Sequence, residues 1–88
     1  MNLIINFTEK RGEVVLELRD GKKLIDSLTF EFEANLDSVL IAGVDKICKR
    51  NRIDTSSLKT VKATGNVNKD SSAYKIAQTF VEAIKSSK

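Results

Sequence analysis

Leu28-Thr29-Phe30-Glu31-Phe32-Glu33-Ala34-Asn35-Leu36-Asp37-Ser38-Val39-Leu40-Ile41-Ala42-Gly43-Val44 decides the fold, because the period of its apolar residues changes inside it. Up to Phe32 they recur at every second position. Leu28, Phe30 and Phe32 share one face of a strand, and Ser27, Thr29, Glu31 and Glu33 share the other. From Leu36 the spacing becomes helical, and Leu36, Val39, Leu40, Gly43, Val44, Ile47 and Cys48 form one continuous stripe. Asn35 is placed to cap that helix, and Asp37 suits the positive end of its first turn. Gly43 lies on the buried stripe. A helix-interior glycine costs up to ~1 kcal/mol relative to alanine, so close packing against a sheet is the expected compensation.

Toward the N-terminus the alternation continues. Leu3, Ile5 and Phe7 share a strand face, Glu9-Lys10-Arg11-Gly12 supplies a turn, and Val14, Leu16 and Leu18 share the next face. Asp20-Gly21 is a strong hairpin signal. Three strands joined by short turns predict an antiparallel meander with a largely polar outer face, covered on one side only. Toward the C-terminus, Asp54–Ser57 reads as a loop and Leu58–Thr64 as a fourth strand, with Val61 and Ala63 inward. Because that strand follows a helical crossover, it is expected to run parallel to one of the first three. Gly65–Lys69 reads as a loop, Asp70 or Ser71 as a cap, and Ala73, Ile76, Ala77, Phe80 and Ile84 as the stripe of a second helix. The expected fold is α+β, a β-β-β-α-β-α two-layer sandwich with both helices on one face, in a single domain over residues 1–88.

Composition narrows the chemistry. The chain of 88 residues has no His, no Pro and one Cys. There is no imidazole base, no Ser-His or Cys-His pair, and no usual Cys/His zinc set within one chain. No intrachain disulfide can form, which suits a reducing, cytoplasmic setting. No stretch approaches a membrane span or a secretory signal core. The net charge of +3 conceals an asymmetry. Residues 1–45 carry 5 basic and 9 acidic side chains, whereas residues 46–88 carry 10 basic and 3 acidic.

The element order is that of the ribonuclease H-like fold without its last strand. Val44-Asp45-Lys46-Ile47-Cys48-Lys49-Arg50-Asn51-Arg52-Ile53-Asp54-Thr55-Ser56-Ser57-Leu58 resembles the helix and loop of the glycoprotease-like, actin-ATPase-related proteins of tRNA threonylcarbamoyladenosine synthesis. Those show an Ile-Asp at the matching place and a Leu before a short strand. Ser72-Ala73-Tyr74-Lys75-Ile76 is similar to that family's Thr-Gly-Leu-Arg-Ile. The resemblance covers residues 36–84 and implies the half-domain fold. It also implies a helix-pair dimer, since the related proteins associate through the corresponding helices. The family's functional positions do not carry over. Its Gly-Pro-Gly-Ser loop would fall on Val67, Asn68, Lys69 and Asp70, and Asn6-Phe7-Thr8 stands near the place of its Asp-Thr-Ser. The nuclease branch of the fold needs carboxylates on the first strand, the first helix and the fourth strand to hold two divalent ions; here the first strand offers Asn6 and Leu58–Thr64 offers no carboxylate.

Four sets of residues remain as candidate sites. Lys46, Lys49, Arg50, Arg52, Lys59 and Lys62 make a basic set able to contact nucleic-acid phosphates, with helix-dipole compensation as its plainer explanation. Gly65, Lys69 and Ser72, at a strand-to-helix loop, can hold a phosphate. Ile41, Ala42 and Val81, off the expected core stripes, can form an apolar patch for self-association. Glu17 and Glu31 share the outer sheet face, where a carboxylate pair can bind a cation or act as acid and base. Cys48 reads as a small core residue. The overall expectation is a non-catalytic binding or assembly module, a homodimer, with nucleic-acid binding and a phosphate ligand at residues 65–72 as alternatives, and with no cofactor or metal.

Overall fold

The computed structural model describes residues 1–65, 68 and 70–86. The elements follow in the order β1 (Asn2–Phe7), β2 (Glu13–Asp20), β3 (Lys23–Glu31), α1 (Leu36–Arg50), β4 (Thr60–Gly65) and α2 (Ser72–Ser86), with one 3-10 turn at Thr55–Ser57. They form one four-stranded sheet in the order β3-β2-β1-β4. β1 is antiparallel to β2 and parallel to β4, and β2 is antiparallel to β3. The crossover through α1 therefore delivers β4 beside β1, as the helical connection requires.

Alternation builds the sheet face that the helices cover. Leu3 lies between Leu18 and Val61, and Ile5 between Leu16 and Ala63. Leu3, Ile5, Phe7, Val14, Leu16, Leu18 and Val61 are all buried, together with Leu36, Leu40, Val44, Ile47 and Cys48 of the α1 stripe. Among the described residues no polar or charged side chain is buried. Gly43 sits where α1 presses on the sheet: a Cβ there would come within 2.6 Å of a Leu16 methyl and 2.8 Å of the Phe30 ring.

Three local features depart from the sequence reading. The Asn35 side chain makes no capping bond to α1. Its Oδ1 instead accepts the Glu33 N–H at 3.1 Å and fixes the approach loop. β3 begins earlier than the Leu28 run, at Lys23, and carries a bulge: Leu18 pairs with Asp26 while Arg19 pairs with Leu24, which leaves Ile25 unmatched. Asp26 stays in phase with Leu28 and Phe30 and so lies on the helix-covered face. Finally, α2 is rotated relative to its expected stripe. Its buried residues are Ala77, Val81 and Ile84, whereas Ala73, Ile76 and Phe80 are only partly buried. At the start of α2, Ser71 is the cap, its Oγ accepting the Tyr74 N–H at 3.2 Å.

Both helices return along the sheet in the same direction. α1 leaves the Glu31 end of β3 and reaches Asp26 with Arg50 and Asn51, and α2 packs back along β4 and against α1.

Candidate functional site

The outer sheet face separates the two carboxylates expected to act together. Glu17 stands across from Ser27, whereas Glu31 stands across from Glu13. Each has its own cation, Arg19 at 3.0 Å for Glu17 and Lys10 at 2.9 Å for Glu31. The Lys10 ammonium holds the Glu31 carboxyl below the ordinary glutamate range. Glu17 is paired along its own strand and Glu31 to the β1–β2 turn, so the two carboxylates form separate ion pairs and not an acid–base dyad.

The basic set is divided by the fold. The Arg50 guanidinium is held by the Asp26 carboxylate, which also accepts a bond from Asn51 Nδ2 at 2.8 Å. Arg50, and secondarily Asn51, pulls the Asp26 carboxyl down to about 2. Lys49 pairs with Asp45 at 3.0 Å along the helix. Lys46, Arg52, Lys59 and Lys62 are exposed. Lys62 faces outward from β4 opposite Ile4, on the side of the sheet away from α1, so the six cations share no single surface.

The residue 65–72 region shows why Gly65 is glycine. It has φ of 107°, and a Cβ there would collide with the Phe7 carbonyl and the Asn6 side chain. Its role is to let β4 end tightly against β1. Ser72 is exposed in the first turn of α2, while Lys69 lies outside the described residues. Between this loop and the β1–β2 turn is a cleft of about 490 Å³. It opens at the C-terminal ends of the parallel pair β1 and β4, where open sheets commonly bind ligands. Its floor is the Phe7–Phe32 edge-to-face pair, with ring centroids 6.3 Å apart. Its rim carries Glu9, Glu13 and Glu33 against Lys10 and Arg11. Lys10 is drawn away to Glu31, and Thr8 Oγ1 donates to Glu13 Oε1 at 2.9 Å while accepting the Lys10 N–H at 3.2 Å. A rim with three carboxylates against Arg11 and an engaged Lys10 is net negative and disfavours an anion.

The helix layer presents a different surface. Ile41 is 62% exposed and Ala42 is exposed. Val81, expected beside them, is 2% exposed and belongs to the core, because the rotation of α2 turns it onto the sheet. That rotation brings out Ile76 and Phe80 instead. With Asp37, Lys75, Thr79 and Ala83 they line a largely apolar groove of about 410 Å³ where α2 meets the start of α1. The sequence signal for this groove is the width of the apolar arc on α2. Ala73, Ile76, Ala77, Phe80, Val81, Ala83 and Ile84 are too many for one buried stripe.

No protein-family profile matches the sequence, and no curated protein matches it. Among solved structures the fold is similar to YeaZ from Pseudomonas aeruginosa, with a TM-score of 0.71 at 11% identity. The match covers 99% of this chain and 40% of that one, so the chain spans less than half the length of its structural neighbour. At that identity the likeness establishes architecture alone: an α+β domain with the topology of half a ribonuclease H-like fold. Among the described residues no helix is long and apolar enough to cross a membrane.

Proposed function

We propose that the domain is a non-catalytic assembly module that self-associates through its helix layer. The observation that carries this reading is the groove lined by Ile76, Phe80 and Ala83, with Ile41 62% exposed on α1. An apolar groove beside an exposed apolar helix residue is the kind of surface that marks interaction sites. The charges favour a second copy as the occupant. α1 has Asp37 at its start and exposed Lys46 toward its end, where Lys49 and Arg50 are already paired with Asp45 and Asp26. Because α1 and α2 run in the same direction, a two-fold axis across the helix layer sets the acidic start of each α1 against the basic end of its mate. The helix-pair association implied by the family resemblance uses the same layer.

Light scattering coupled to size-exclusion chromatography tests the reading. The expected result is a dimer at micromolar concentration that becomes a monomer in Ile41→Asp, with unchanged circular dichroism. A monomer across the whole concentration range overturns it.

Nucleic-acid binding is the second reading. It is favoured by Lys46, Arg52 and Lys59, for which no ion pair is found among the described residues. Fluorescence anisotropy with labelled oligonucleotides should then show affinity falling steeply with salt. No binding at low salt removes this reading.

A further inference from the structure

We propose that the outer edge of β4 binds an extended acidic segment of a partner protein, which pairs with it as a fifth strand. Among the described residues β4 is hydrogen-bonded on one side only, to β1, and lies at the edge of the sheet. Its pairing with β1 is continuous from Asn2↔Thr60 to Phe7↔Gly65, with no bulge. The bond from the Phe32 N–H to the Gly12 carbonyl, at 2.8 Å, sets the phase of the sheet. It turns the even residues of β2 toward β3 and, through the β1–β2 register, the odd residues of β1 toward β4, where the Met1 carbonyl accepts the Lys59 N–H. In a parallel ladder a residue bonds to the two neighbours of its partner, so with Leu3↔Val61 and Ile5↔Ala63 it is Thr60, Lys62 and Thr64 that address β1. The N–H and C=O groups of Val61 and Ala63 therefore point off the sheet. That row is a template for strand addition.

The side chains along the edge state what the strand should be. Lys62 stands in the middle of the outer face, with Thr60 and Thr64 on either side, and Lys59 precedes the strand. Neither lysine has an ion-pair partner among the described residues. Two copies of β4 laid antiparallel about Lys62 would bring like charges together, which opposes pairing of this edge with itself. An acidic strand reverses that sign. On the helix side the neighbours are Val61 and half-buried Ala63, with half-buried Tyr74 and Gln78 on the flank of α2 opposite the α1 groove. A strand alternating acidic and small apolar residues meets both sides, its carboxylates beside Lys62 and its apolar residues beneath α2.

The test uses the isotope-labelled domain and a short synthetic peptide alternating glutamate and valine, followed by amide NMR and hydrogen exchange. The amides of Val61 and Ala63 should gain protection. Lys62→Glu should weaken binding by about tenfold and transfer the preference to the same peptide with lysine for glutamate. N-methylation of alternate peptide amides keeps the charge but removes the ladder, and should abolish binding. Ile41→Asp should bind the peptide as the unaltered chain does, which separates this edge from the helix-layer reading. Binding indifferent to N-methylation overturns the proposal. So does equal binding of an oligonucleotide at the same amides, or protection of those amides by protein concentration alone.

Discussion

The two edges of the sheet are built on opposite plans. β3 is nine residues long and closed by its own chain: a bulge at Ile25 breaks its regularity, and Asp26 ties it to Arg50 and Asn51 at the end of α1. β4 is six residues long and unbulged, with a lysine at its centre. Long edges invite unwanted pairing, and a bulge that increases twist is a usual protection. The short edge is left regular and is guarded by charge alone. The difference implies that β3 contributes to the stability of the monomer, while β4 stays available.

The comparison is broken most severely at Gly65, where β4 ends. Gly65→Ala forces a side chain into positive φ and into the Phe7 carbonyl, so it should cost about 3 kcal/mol, combining backbone strain with overpacking. Urea unfolding followed by circular dichroism measures it. A cost below about 1 kcal/mol would mean that β4 shifts freely at this end and that its register is not fixed there.

Gly43→Ala probes the β3 half. The gain of up to ~1 kcal/mol in helix propensity is opposed by contact with Leu16 and the Phe30 ring. An aromatic ring packed between β3 and α1 yields poorly, so a net loss of about 1–2 kcal/mol is expected from overpacking. A stabilised variant would show that α1 stands off the sheet.

The reading of Gly43 illustrates what the sequence made legible. The change of period after Phe32, the alternation of Val61 and Ala63, and the crossover that makes β4 parallel are all local or topological signals, and each places its element correctly. The bulge at Ile25 was not legible. Asp26 lies in phase with Leu28 and Phe30, and an acidic residue on a core face reads as the end of the strand. What satisfies it is Arg50, 24 residues away, and single-chain periodicity carries no such pairing. The rotation of α2 was hidden for a related reason. Its apolar arc is wide enough to bury either Phe80 or Val81, and contact with α1 and β4 decides between them. The apolar groove at Ile76 and Phe80 follows from that choice, so this candidate site was misassigned to the core.

Asp26→Asn removes the charge from the β3 clasp and should cost about 1 kcal/mol at neutral pH, the scale of one net hydrogen bond, because the Arg50 side chain is half exposed and screened. Amide exchange should quicken along β3 and stay unchanged along β4. The pH dependence has a definite sign. The folded-state value of about 2 lies below the unfolded aspartate value, so the unfolded chain takes up the proton first as pH falls. The clasp therefore contributes fully above about pH 5, and its contribution is lost as pH falls toward 2. The stability gap between the unaltered chain and Asp26→Asn should close over that window. A gap that persists at pH 2 would assign the effect to packing of the asparagine.

The smallest effect is expected at the other ion pair on β3. Lys10 and Glu31 are 2.9 Å apart, but their side chains are 62% and 75% exposed. Asp26 is 16% exposed and receives bonds from Arg50, Asn51 and the Ser27 N–H. Water and salt screen the first pair, and holding a long lysine side chain in one geometry opposes the attraction. Glu31→Gln should therefore leave the urea midpoint within experimental scatter at physiological salt. Removing the charge also ends the like-charge opposition of Glu31 to Glu13 across the strands, which offsets part of the lost attraction to Lys10. If Glu31→Gln instead matched Asp26→Asn in its cost and in faster exchange along β3, the clasp at Asp26 would not be what secures this edge, and β3 would be held by its exposed charges as β4 is guarded by Lys62.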